Sequence, residues 1–112
     1  LIEETIGKVE WIHEQEGIHI GKSSGRYYIF ITVEKGASAE EVADIISSAL
    51  SILKRKEGKF SEVTIVILAP YEEEDLENFV SEVESEFMKW HSERWSGVDI
   101  VFIGKPWFGG IL

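Results

Sequence analysis

The stretch Arg26–Leu68, RYYIFITVEKGASAEEVADIISSALSILKRKEGKFSEVTIVIL, decides the fold. It opens with Arg26–Val33, β-branched and aromatic with almost no polar position, the pattern of a central strand covered on both faces. Glu34-Lys35-Gly36-Ala37 breaks that strand, and Ser38-x-x-Glu41 is a capping box that opens a helix. Val42, Ile45, Ile46, Ala49, Leu50 and Leu53 then recur at helical spacing as a core-facing stripe. Lys54, Arg55 and Lys56 suit the negative end of the helix dipole, and Gly58 stops the helix. Glu62–Leu68 is a second apolar strand, ended by Ala69-Pro70. Strand, helix and strand in succession call for parallel strands joined by a right-handed crossover.

Toward the C-terminus the pattern repeats. A helix is predicted from about Glu72 to Trp95, with Leu76, Phe79, Val80, Val83, Phe87 and Trp90 along one face and Arg94 or Trp95 continuing it. Glu72–Asp75 are all acidic, while Lys89, His91 and Arg94 lie toward the other end, as the dipole prefers. After Ser96-Gly97, Val98–Ile103 (VDIVFI) reads as the last strand. Toward the N-terminus, Lys8–Glu14 alternates with period two, Glu16-Gly17 supplies a hairpin turn, and Ile18-His19-Ile20 pairs back. A two-residue loop sets Glu14 opposite His19 and His13 opposite Ile20. Val9, Trp11, Ile18 and Ile20 then share the core side, and Glu10, Glu14 and His19 face out. Gly21–Gly25 reads as a loop by composition. The element order is β-β-β-α-β-α-β, an α/β fold. It has a single mixed sheet of about five strands and two main helices, a parallel βαβαβ part preceded by an antiparallel hairpin. Residues 1–112 are read as a single domain whose C-terminal aromatic tail, 104–112, lacks a regular period.

Composition narrows the function. The 112 residues are 44% hydrophobic and 12% aromatic, enough to build one core. Eleven Lys+Arg against 21 Asp+Glu leave a net charge of −10, and the one basic run, Lys54-Arg55-Lys56, is accounted for by the helix end, which argues against nucleic acid and anionic membranes as partners. With no cysteine, disulfides, thiol catalysis and Cys-based zinc or iron–sulfur sites are excluded. The longest apolar run, Val63–Ala69 with one Thr, is too short to span a bilayer, and no basic-then-apolar leader is present, so a cytoplasmic location is expected. One Gln, one Asn and one Met, with acids that are mostly Glu, is a thermophile's signature.

Candidate chemistry is sparse. His13 and His19 flank a turn with Glu14 between, but the register puts the histidines on opposite faces and no further ligand is in evidence, so neither a metal nor a cofactor is expected. In parallel sheets, ligands collect beyond the strands' carboxyl ends. There the sequence places Glu34, Lys35, Tyr71 and Lys105, with Glu41 on the first helix, as the residues of a ligand site. Gly36 lacks the companions of a phosphate-binding loop. A three-strand meander followed by helix, strand, helix, strand is similar to the ribonuclease H-like fold. That resemblance implies a metal-binding carboxylate on the first strand, one on the first helix and one ending the fourth strand. Glu40, Glu41 and Asp44 fit the helix position, but the first strand has only Glu10 or Glu14, and the fourth ends in Leu68-Ala69-Pro70. The hairpin plus βαβαβ also resembles the trimeric chorismate mutase-like architecture, which implies sites between subunits and a key Arg, and no Arg is marked here.

The aromatics point elsewhere. Trp107, Phe108, Ile111 and Leu112 have no periodic slot in the core; such residues either mark an interface or belong to a tail folded back over a sheet edge. The leading expectation is a small acidic interaction or oligomerisation domain without catalysis, acting as a homo-oligomer or on a protein partner. The rival is a hydrolase or ligand-binding enzyme with its site at the strand ends or a subunit interface.

Overall fold

The computed structural model describes residues 8–60 and 62–104. Five strands form one sheet: β1 Glu10–Gln15, β2 Ile18–Ser23, β3 Arg26–Thr32, β4 Val63–Leu68 and β5 Val98–Ile103. Helix α1, Ala39–Glu57, joins β3 to β4, and α2, Glu73–Trp90, joins β4 to β5. The strands lie in chain order across the sheet, antiparallel from β1 to β3 and parallel from β3 to β5. Fold class, element order and strand directions are those read from the sequence.

Two successive crossovers of one hand between strands that step the same way place both helices on one face of the sheet. The main core forms there. Ile18, Ile20, Ile29, Ile31, Val63, Ile65 and Ile67 from the sheet meet Val42, Ile46, Ala49, Leu50 and Leu53 of α1 and Phe79, Val83 and Phe87 of α2. Ser38 caps α1 by accepting from the Glu41 N–H at 3.1 Å, and the Gly58 N–H closes its other end on the Lys54 carbonyl. The second face, opposite the helices, has a smaller cluster of Phe30, Val66 and Leu68 with Trp11, Tyr28 and Ile103 around it. Thus β3 is apolar on both sides, but α1 and α2 cover only one of them.

Three sequence expectations are corrected. The pairing of His13 with Ile20 and Glu14 with His19 is as read, but the β1–β2 register shifts between Trp11 and His13. This bulge turns Trp11 away from Ile18 and Ile20 to the second face, where it meets the His19 ring at 5.9 Å and Phe30 at 6.1 Å. Gly21–Gly25 is not all loop. β2 continues to Ser23, and only Ser24-Gly25 turn, both at positive φ as a tight hairpin requires. Helix α2 ends at Trp90 rather than Trp95, and Trp90 is 63% exposed, its indole N–H donating to Glu86. Among the described residues the buried tryptophan is Trp95, carried inward by the turn after the helix, with its N–H donated to Ser47 Oγ at 3.0 Å.

Gly21 shows why the hairpin tolerates a glycine in mid-strand. A Cβ there would collide with Val9 Cγ1 and stand 3.2 Å from Trp11 Cε3. Gly21→Ala is therefore expected to overpack the second face and lower stability by about 1–3 kcal/mol in chemical denaturation. An unchanged midpoint would mean that Val9 and Trp11 are not held against β2.

Candidate functional site

The carboxyl ends of the parallel strands form the ligand position that the fold favours. Beside the end of β3 lies a cavity of about 420 Å³ between the β1–β2 turn, the β3–α1 loop and the first turns of α1. Ile18, Ile31, Val42 and Ile45 give it an apolar floor, and Glu16, Glu34 and Glu41 stand among its walls. These walls have no Lys, Arg or His among the described residues. The backbone here is tied across the strands, the Thr32 N–H bonding to the Gly17 carbonyl at 3.0 Å and the Val33 N–H to the Leu68 carbonyl at 2.9 Å.

Of the five strand-end residues that the sequence picks out, Glu34 and Glu41 share this cavity. Lys35 is exposed and does not line it. Tyr71 comes close by another route: its hydroxyl accepts the Gly36 N–H at 3.2 Å, and its ring packs on Phe79 at 4.9 Å. It fastens the β4–α2 loop to the β3–α1 loop, so both hydroxyl and ring already have structural work. Lys105 lies outside the described residues, as do Trp107, Phe108, Ile111 and Leu112. The arrangement therefore offers carboxylates over an apolar floor, without a nucleophile and base held together.

The histidines are apart. His13 Nε2 pairs with Gln15 Oε1 at 2.6 Å, and His19 sits on the second face, 3.8 Å from Glu14. His91 Nε2 is 3.1 Å from Asp44 Oδ1 and the ring packs against Phe87, so this pair links α1 to the end of α2. No group of three His, Cys, Asp or Glu able to hold a metal occurs among the described residues. Of the positions implied by the ribonuclease H-like resemblance, β1 is the sheet's outermost strand, and β4 ends without a carboxylate. No described helix is long and apolar enough to cross a membrane.

At the opposite end of β3, burial pushes the Tyr27 phenol above its ordinary value. Its bond to Glu57 Oε1 at 3.0 Å and the charges of Glu57 and Glu10 act the same way. A raised folded value stabilises the fold below the ordinary tyrosine range, and that contribution is lost as pH rises through the folded value. In an alkaline absorbance titration of the folded chain one tyrosinate should form late, and Tyr27→Phe should remove that late phase. A late phase that survives in Tyr27→Phe would assign it to Tyr28 or Tyr71.

Sequence reasoning missed where the apolar surface is left over. Of the large hydrophobics, Met88, Trp90 and Val101 are exposed, Met88 at 67% and Val101 at 45%. Met88 lies off the Phe79–Val83–Phe87 stripe of α2, which was visible in the spacing. Val101 follows the second-face parity of Asp99 and Ile103, which becomes apparent only once the β4–β5 register is known. A groove of about 410 Å³ between α2 and β5 is lined by Phe87, Met88, Val98 and Ile100 with Glu84 and Asp99. No protein-family model, curated protein or solved structure matches the chain.

Proposed function

We propose that the chain is a small acidic interaction domain that associates with copies of itself and has no catalysis of its own. The observation that carries this reading is the placement of Met88 and Val101. Large and apolar, they lie on the two sides of β5, Met88 on α2 at the groove beside Val98 and Ile100, and Val101 on the second face. Exposed apolar side chains around one element are the mark of a contact surface. In the sequence, four more large apolar residues, Trp107, Phe108, Ile111 and Leu112, follow within nine residues of Ile103. A ligand-binding reading has Glu34 and Glu41 on one cavity in its favour. It lacks a convergent reactive set, and Tyr71 is engaged with Gly36.

Each copy carries −10, so association works against repulsion that salt screens. Light scattering after size exclusion should give at least twice the 12.7 kDa chain mass, with the oligomer persisting to lower concentration at high salt. Replacing Trp107 and Phe108 by Ser should lower that mass while circular dichroism stays native. A monomer at every concentration and salt would overturn self-association. An unchanged mass in the double variant would remove these two residues from the contact.

A further inference from the structure

We propose that two copies join through the outer edges of β5, their strands antiparallel about a two-fold axis at Ile100. This rests on the self-association reading and names the surface on which the copies meet.

The backbone indicates the edge. The Gly97 and Ile103 carbonyls accept from Val63 N at 3.2 Å and Ala69 N at 2.9 Å, so both point toward β4. Main-chain groups alternate sides along a strand, so those of Asp99 and Val101 also point to β4, and those of Val98, Ile100 and Phe102 point outward. Among the described residues β5 pairs only with β4, in unbroken register from Val98 to Ile103. The other edge of the sheet is different. There β1 is interrupted by its bulge and carries Glu10, His13, Glu14 and Gln15, the features by which edge strands repel a neighbour. β5 has one charge, Asp99, and no bulge.

The occupant follows from register. Residues directly opposite in an antiparallel pair share a face, so Ile100 can oppose Ile100, Val98 can oppose Phe102, and Asp99 then opposes Val101. This register uses all three outward residues of each strand, for about six N–H···O bonds. It also keeps the two Asp99 carboxylates from facing each other, which a shift of one residue in each strand toward the N-terminus would force. Phe102 of the second copy, half-buried against its own Phe79, arrives beside Val98, which with Phe87, Met88 and Ile100 lines an apolar groove. The two-fold axis is perpendicular to the sheet, so the helices of both copies lie on one side and a ten-stranded sheet results.

The chain has no cysteine, which makes crosslinking clean. In this register Ile100 meets its own copy at a Cα separation of about 5.5 Å, within the disulfide range, while Val101 lies about 7–8 Å from its copy and outside it. Ile100→Cys should form a covalent dimer on mild oxidation, and Val101→Cys should not. Wild-type small-angle scattering supplies a readout without substitution: an edge-joined pair is about twice as long as one copy across the strands, a face-packed pair is not. Crosslinking of Val101→Cys in place of Ile100→Cys, or a compact dimer, would overturn edge pairing while leaving self-association standing. A monomeric wild type would overturn both.

Discussion

The constraint on which the rest of the structure depends is the handedness of the strand–helix–strand connection. A right-twisted strand feeding a right-handed helix returns to the sheet one way only. Because β3, β4 and β5 are adjacent in chain order, both crossovers obey that rule on the same side, and α1 and α2 pack on one face and on each other. Seven sheet residues of one parity, from Ile18 to Ile67, are enclosed by that packing. Doubly wound sheets avoid the imbalance by reversing direction partway, which sends helices to both faces and leaves a ligand crevice at the reversal. This sheet has no such reversal among its five described strands, and its cavity lies instead beside the end of β3, between the β1–β2 turn and α1.

What remains is a molecule whose most distinctive surface is its last strand. The hairpin end is finished: a bulge, alternating charges and a glycine that admits Val9 and Trp11 close it against further pairing. The β5 end is not. It has outward main-chain groups, apolar side chains on both sides and one carboxylate. The acidity of the chain fits with this asymmetry. In the proposed edge pairing, the net charge of −10 opposes approach of a second copy elsewhere, while the strip along β5 offers local, backbone-based attraction.

Most of the architecture was legible in the sequence because its signals are local. The alternation around Glu16-Gly17, the Ser38–Glu41 cap, the α1 stripe and the two apolar strands each declare themselves within ten or so residues. The misreadings have one physical origin: they depend on which neighbour an element meets. Trp11 changes face because of a bulge that no periodicity announces. Gly21 reads as a loop until Val9 and Trp11 are seen filling the space above it. Trp90 continues the helical stripe on paper, but it stands exposed with its N–H on Glu86, and Trp95 takes the buried place beside Ser47. The site was legible to a lesser degree. Glu34 and Glu41 do share a cavity, whereas the role of Tyr71 as a fastener to the Gly36 N–H requires two loops to be placed in space. Met88 lies off the apolar stripe of α2, as the spacing shows, whereas the exposure of Val101 follows from strand register, which sequence alone leaves free.

Among the described residues the sheet ends at β5, whose outer edge has no strand beside it. Amide hydrogen exchange in dilute solution tests it most directly. Exchange should alternate along the strand: slow at Asp99, Val101 and Ile103, which face β4, and fast at Val98, Ile100 and Phe102. Uniformly slow exchange along β5 in the dilute monomer would contradict it, because the edge would then already be covered within a single chain.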